Sequence, residues 1–401
     1  MRRWLAVVGI GEDGLPGLSP AARHLVETAE LLIGGERHLA LVPPGGAERL
    51  PWASPLGDTI AAIAAWRGRR VTVLASGDPL WYGVAATLCR RFPPEEMTIL
   101  PQPSAFSLAA ARLAWPLAEC AAITLHARPL DSLRLHVAPR RRILALSNDG
   151  ETPAAAAALL NQLGWGPSPI TAFEHLGGPR EAVLCDTAAA WGNRRVADLN
   201  TIAIECRPGP AARAYSRLAG LPDDAFEHDG QLTKREVRAA TLAALAPLPG
   251  DTLWDIGAGS GSIAIEWLRA GEGCSAIAVE RDASRAAAIA RNAAALGAPG
   301  LRIVTGAAPA ALAGLPPPDA VFVGGGLDRE MLGIGWAALR PRGRLVANAV
   351  TTETEQVLLA WQAAEGGALS RIAVSRAEPL GEHQAWRPLL TVTQLAAAKP
   401  G

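Results

Sequence analysis

Cysteine is scarce in this chain. Five residues in 401, at positions 89, 120, 185, 206 and 274, form no C-x-x-C pair and no metal-type spacing. A disulfide framework is therefore not expected, and the thiols are read as small buried hydrophobes in a reducing compartment. Net charge is missing as well: 38 basic and 38 acidic residues cancel. No chain-wide basic field exists to gather nucleic acid or anionic membrane, so neither is expected as a partner. Long apolar runs are absent too. The opening "MRRWLAVVGIGED" has two arginines and then an apolar stretch, but it stops at Gly11-Glu12-Asp13, too short and too soon acidic for an export signal. Nothing approaches the roughly 18–20 apolar residues of a membrane span. A cytoplasmic protein without a metal centre is expected.

What is present is globular: 49% hydrophobic and 19% charged residues, on a chain long enough for two or three domains. Runs 4–10, 31–35, 70–76 and 97–101 read as buried strands. Segments 19–29 and 58–66 read as helices, with Ser19 and Asp58 as caps. A second set follows, with strands at 121–126 and 142–147 and a helix from 152 whose Pro153 suits a first turn. The hairpin-like runs "PITAFEHLGG", "EAVLCD" and "LNTIAIE" close it. Two α/β lobes within residues 1–206 are expected. The Pro- and Gly-bearing stretch 207–228 has no clean period and reads as a linker. From 229 to 401 strands and helices alternate, which implies a doubly wound, mostly parallel sheet. Two last strands, near 369–376 and 387–394, read as an antiparallel addition at its edge.

In the C-terminal part, "WDIGAGSGSIAIEW" (254–267) is D-x-G-x-G-x-G between a strand and a helix, with Asp255, Gly257, Gly259 and Gly261. Glycines let the backbone turn sharply and approach a ligand. Three readings compete: a bare turn, a dinucleotide loop, and a site for S-adenosylmethionine (SAM). A dinucleotide loop more often reads G-x-G-x-x-G and leaves its helix N-terminus open to pyrophosphate. A carboxylate just before the first glycine repels pyrophosphate and suits an ammonium, which favours SAM. Glu280 ends the next strand, where it could accept both ribose hydroxyls. This order resembles the class I methyltransferases. With "DGQLTKREVRA" (229–239), "AVERD", "DAVFVGGG" (319–326) and "GRLVANAVT" (343–351), it resembles the branch that methylates corrin precursors at C15 with decarboxylation. The resemblance implies SAM contacts at Thr233, Asp255, Gly257, Gly259, Ser260, Gly261, Glu280, Arg281, Ala307 and Ala308. Ala307 stands where that family usually has an acid. Substrate carboxylates would meet Lys234, Arg235 and Arg238, with Gly324, Gly325, Gly326 and Asn348 giving a large flat ligand room.

The N-terminal part has its own glycine loop, "LAVVGIGEDG" (5–14). With "LIGGERHL" (32–39), "LASGDPLWYG" (74–83), "PQPSAFSLAAARL" (101–113), "LSNDGETPAAAAALL" (146–160) and "AFEHLGG" (172–178) in order, it resembles the tetrapyrrole methylase family over about 1–206, in its corrin C5 branch. Glu12-Asp13 stand where relatives often have Pro-Gly, and "PQPSAFS" replaces a more usual P-G-x-S-S-type loop. The resemblance implies a second SAM site at Gly9, Gly77, Asp78, Pro79, Tyr82, Ser104 and Ala105. Glu174 and His175, and Lys234 in the other half, are candidates to move protons.

Together the two resemblances imply one enzyme that methylates a corrin precursor at C5 and C15 and removes the ring C acetate as carbon dioxide, in cobalamin biosynthesis. They imply one SAM per domain, a small-molecule tetrapyrrole as partner, and self-association. Another tetrapyrrole substrate, or a SAM-binding regulator without turnover, are the alternatives. The 12 tryptophans are expected mostly as packing rather than as a substrate clamp.

Overall fold

A computed structural model describes residues 3–401. The chain divides into two compact units, one ending at Arg213 and the other running from Ala214 to Gly401, with Asp131–Leu135 grouped with the second.

The first unit begins β1 (Leu5–Ile10), α1 (Pro20–Glu27), β2 (Leu31–Gly34), α2 (Glu36–Ala40), β3 (Glu48–Pro51), α3 (Leu56–Ala65), β4 (Val71–Ser76), α4 (Ala85–Leu88) and β5 (Met97–Leu100). These strands form one parallel sheet in the order β3-β2-β4-β1-β5, with Leu5 opposite Val71 and Met97. Buried on both faces, β1 has no alternation and reads as the continuous apolar run it is. Ser19 caps α1 as expected, its Oγ accepting from Ala22 N. Asp58 lies inside the first turn of α3 instead, where a carboxylate favours the helix dipole without capping. The short β3 and α2 carry too little period to be read from sequence.

The second lobe contains α5 (Ala105–Leu113), β6 (Cys120–Thr124), β7 (Arg142–Leu146), α6 (Thr152–Gln162), β8 (Pro169–Glu174), β9 (Ala182–Thr187), α7 (Ala188–Trp191) and β10 (Asn200–Glu205). Its sheet runs β6-β7-β10-β8-β9, parallel only between β6 and β7.

The second unit comprises α8 (Arg235–Leu245), β11 (Thr252–Ile256), α9 (Ser262–Ala270), β12 (Ser275–Glu280), α10 (Ala283–Ala295), β13 (Arg302–Thr305), β14 (Ala320–Val323), α11 (Arg329–Ala338), β15 (Arg344–Ala349), α12 (Thr352–Glu365), and the strands β16 (Ala368–Ile372), β17 (Ser375–Leu380), β18 (His383–Pro388) and β19 (Val392–Ala398). Seven strands form one sheet, β13-β12-β11-β14-β15-β19-β16, the first five parallel. Alternate side chains fill two apolar layers, Leu253 and Phe322 on one face, Trp254 and Val321 on the other. The α/β class, doubly wound in this unit, is as expected. The tail differs: four strands, not two, follow α12. β16 and β19 extend the sheet antiparallel, while β17 and β18 form a separate hairpin.

The two units divide within the stretch 207–228, after Arg213, and the stretch is held on each side of that point. Gly209 N donates to Gly164 O within the first unit, and Leu221 and Phe226 are buried in the core of the second. Its prolines and glycines break the period, while a backbone hydrogen bond ties one end and buried apolar side chains the other.

Candidate functional sites

In the second unit the central strands β11 and β14 deliver two loops to the carboxyl end of the sheet, where open α/β sheets bind ligands. Gly257, Gly259 and Gly261 have φ of 68, 58 and 75°, backbone that side chains rarely adopt. At 257 a Cβ would lie 2.6 Å from the backbone of Gly325, so the glycine loop and the exposed Gly324–Gly326 loop meet backbone to backbone. Asp255 sits beneath them, 1% exposed. Its Oδ2 accepts from Ala264 N at 3.0 Å, in the first turn of α9, and its Oδ1 is a buried acceptor with no partner. Burial first, and the neighbouring Glu280 after it, push the Asp255 carboxyl up to about 7, against the Ala264 hydrogen bond. A positive ligand group would settle that orphaned oxygen; a pyrophosphate would not.

Glu280 takes part in building the loop. Its Oε2 accepts from Gly259 N at 2.8 Å and its Oε1 from Asp282 N at 3.0 Å, leaving one further lone pair on each oxygen. Gly306 N donates to Glu280 O, which sets Ala307 and Ala308 beside it. Ser260 is buried and accepts from Asn292 through its carbonyl. Arg281 follows β12 and is exposed. Lys234 stands half-buried at the N-cap position of α8 without a capping side-chain bond, and Arg235 is exposed after it; among the described residues none of these three cations has an acidic partner.

Two expected substrate contacts are corrected. Arg238 is fully buried. Its Nε donates to Glu266 Oε1 at 2.6 Å, its Nη1 to Asp223 at 3.2 Å and to Thr233 O at 2.5 Å, and its Nη2 to Leu221 O. A guanidinium inside the protein must be paired on every side, and this one has nothing left for a ligand. Asn348 is committed at both ends of its amide, donating to Thr241 Oγ1 at 2.9 Å and accepting from Gln394 Nε2 at 2.9 Å. It ties β15 to α8 and β19.

The first unit holds a cavity of about 510 Å³ lined from both of its sheets. Gly77, Asp78, Tyr82, Ser104 and Ala105 are on its wall. Gly77 has φ 50°, Asp78 Oδ1 accepts from Leu80 N at 2.9 Å, and Ser104 caps α5 through Ser107 N at 3.1 Å. Gly9 and Pro79 are not on the wall. A Cβ at Gly9 would lie 1.9 Å from Gly77 O, so this glycine lets β1 pass under the 77–79 turn. Glu174 and His175 are off the wall as well. Glu174 Oε1 accepts from Ala197 N at 2.7 Å, and His175 Nδ1 meets Glu12 Oε2 at 3.1 Å. Both act in packing loops together.

Sequence reading missed the polar cluster at the cavity. Glu12 pairs with Arg37, with His175 and, at 3.7 Å, with Arg180. Burial alone would raise the Glu12 carboxyl, but the His175 hydrogen bond and the Arg37 charge outweigh it and hold it below the usual range. Arg37 Nη2 lies 2.8 Å from both His38 Nε2 and Ser76 Oγ. Burial, then the Arg37 charge, lower His38 to about 4, so its ring is neutral. The departure at Glu12 and the "GERHL" run were the visible signals; their pairing across 25 residues was not. Of the tryptophans, Trp4, Trp165, Trp191, Trp254, Trp267 and Trp361 are buried, but Trp81 lines the cavity, 40% exposed. Among the described residues no helix is long and apolar enough to cross a membrane, and no group of three His, Cys, Asp or Glu could hold a metal.

Residues 5–190 match the family described as tetrapyrrole (corrin/porphyrin) methylases, and residues 224–399 match the family described as precorrin methyltransferase domain. The chain is 49% identical over 400 residues to the precorrin-6Y C(5,15)-methyltransferase (decarboxylating) of Sinorhizobium sp, covering 99% of this chain and 96% of that one. It is 42% identical over 403 residues to the protein of the same name from Mycobacterium tuberculosis, covering 98% and 100%. A solved structure, the C-terminal domain of precorrin-6Y C5,15-methyltransferase from Rhodobacter capsulatus, shares 47% identity over 46% of this chain and 100% of its own, with a TM-score of 0.44.

Proposed function

The chain belongs to the decarboxylating precorrin-6Y C(5,15)-methyltransferases, SAM-dependent enzymes of cobalamin biosynthesis, and from that premise we propose how its two units share the work. Residues 1–206 methylate the precorrin at C5. Residues 229–401 methylate it at C15 and release the ring C acetate as carbon dioxide. The substrate is precorrin-6B, the product precorrin-8, and each unit takes one SAM. The observation that carries this is the unpartnered Oδ1 of Asp255 under the loop of Gly257, Gly259 and Gly261, in a chain with a separate cavity in its other unit.

Bound SAM would supply an electrophilic methyl on sulfur to an electron-rich carbon of the macrocycle. The chain's part is position and dryness. Asp255 holds the ammonium, and Glu280 reaches the ribose through its spare lone pairs. Gly257 and Gly325 allow backbone contact with the ligand. Lys234 and Arg235, which have no acidic partner among the described residues, hold the peripheral carboxylates, and Arg281, beside Glu280, stays with the SAM site. When the carboxylate leaves as carbon dioxide, the C–C bond pair passes into the conjugated imines of the macrocycle and returns to the methylene carbon as it takes up a proton to become methyl, so no covalent cofactor on the enzyme is required.

The test is SAM-binding stoichiometry and product mass on the full chain. Wild type is expected to bind two SAM, and with precorrin-6B to add two methyls and lose one carbon dioxide. Asp255→Ala should bind one SAM and release no carbon dioxide. Two SAM still bound by that variant would sink the assignment of the second site. Self-association is also proposed; Leu380, Trp386 and Leu390, 60, 75 and 76% exposed in and after the β17–β18 hairpin, support it, and sedimentation of the full chain checks it.

A further inference from the structure

The segment 77–83 of the first unit is held in one shape from every side. Asp78 Oδ1 accepts from Leu80 N at 2.9 Å, Trp81 N donates to Asp78 O at 3.2 Å, and Ala85 N donates to Pro79 O at 3.0 Å. Gly83 is obligatory, because a Cβ there would lie 2.3 Å from Pro79 O. Tyr82 carries φ 57°, a left-handed backbone that an aromatic residue adopts only under constraint, and its hydroxyl donates to Ala122 O at 3.2 Å on β6. Phe106, buried, backs the segment, with ring centroids 5.4 Å from Trp81 and 6.1 Å from Tyr82.

This constraint does not hide the apolar side chains. Leu80, Trp81 and Tyr82 are 53, 40 and 52% exposed, and both aromatics line the cavity. Strain and exposed apolar surface are each unfavourable, and a fold keeps both together where a ligand compensates them. A cavity of about 510 Å³ encloses a drug-sized molecule. A cofactor and a whole tetrapyrrole exceed it, so the macrocycle enters by one edge and the rest of its flat face remains outside.

We propose that Leu80, Trp81 and Tyr82 form a rigid apolar shelf at the cavity mouth on which the overhanging face of the macrocycle stacks, with Trp81 as its main contact. The shelf selects a broad, flat, conjugated substrate and orients its edge toward the cavity. It rests on the reading of the first unit as the C5 site. Being built in advance, it costs little ordering on binding. Arg37 cannot take that role alone, since Glu12 already neutralises it.

Steady-state kinetics on the full chain tests the shelf, with C5 methylation and carbon dioxide release followed by mass. Trp81→Ala is expected to raise the KM for the macrocycle at C5 about tenfold while leaving the KM for SAM within about twofold. Carbon dioxide release should not change, and Trp81→Phe should restore most of the loss. A rise in the SAM KM with the macrocycle KM unmoved would hand the shelf to the adenine and overturn the proposal. Leu80→Asp, at a half-exposed position the fold does not depend on, covers the case in which Trp81→Ala abolishes first-unit SAM binding altogether. It sets a charge against the polyanionic substrate and is expected to raise the macrocycle KM about fivefold; an unchanged value overturns the shelf. Failure of the wild-type chain to methylate C5 removes the underlying reading instead, and is seen before any variant is made.

Discussion

The two units place their acids under opposite rules. In the second unit Asp255 is buried with one oxygen unpartnered, and its carboxyl is pushed up to about 7. In the first, Glu12 is pulled below its usual range by the groups around it, His175 and Arg37 foremost. One acid is kept in want of a cation; the other already has its cations and serves to join loops. Burial of a charge thus has two outcomes, a ligand site or a tie, decided by whether neighbouring side chains supply the counter-charge. The same contrast separates the arginines of the second unit. Arg238 is spent inside on Glu266 and Asp223, while Arg235, three residues earlier, is exposed and has no acidic partner among the described residues.

The largest expected effect breaks the spent pair. Arg238→Ala leaves Glu266, 1% exposed, without its cation and should destabilise the second unit by about 3–5 kcal/mol. Thermal unfolding followed by calorimetry should then show the second unit melting early and the first unmoved; a joint shift would mean the units are not independent in stability. Next comes Gly257→Ala, which meets Gly325 at 2.6 Å on a backbone of φ 68°. It should cost about 1–3 kcal/mol of second-site SAM affinity, a loss of roughly 5- to 150-fold, while first-site binding stays. Isothermal titration resolves the two.

A pH series sharpens the contrast without mutation. A cation binds the ionised Asp255, so second-site SAM affinity should be complete well above pH 7 and fall as pH drops below about 7, up to about tenfold per unit. First-site affinity does not pass through Asp255 and serves as the internal reference in the same titration. The smallest effect is Glu12→Gln, expected to cost the first unit about 1–2 kcal/mol. The sign follows from its lowered carboxyl: the contribution is complete above the ordinary value of 4.5 and is lost as pH falls through the lower folded one. Comparing wild type and variant in urea at pH 7 and at acid pH checks it, and the gap between them should close in acid.

Much of the architecture was legible because it is local. Strand β1 is a continuous apolar run, α1 announces itself through Ser19, and D-x-G-x-G-x-G between β11 and α9 needs glycine at each turn whatever lies around it. The tail was less legible. Residues 368–398 hold four short strands whose pairing, β16 and β19 to the sheet and β17 to β18, is not written in any run of five to seven residues. The 207–228 stretch was legible as a break, and the two units divide within it after Arg213, but its prolines do not report where Leu221 and Phe226 are buried.

By itself, the sequence determined the α/β class, the glycine loops and the acid beneath one of them, because backbone geometry and hydrophobic period act over a few neighbouring residues. Only the tertiary structure decided which charged groups remain available. Arg238 and Arg235 have the same side chain and nearly the same address, and they are separated by Glu266, 28 residues away along the chain. Glu12 finds Arg37 at a separation of 25 and His175 at 163. Coulomb attraction and desolvation depend on distance in space, and that distance exists only after the chain has folded.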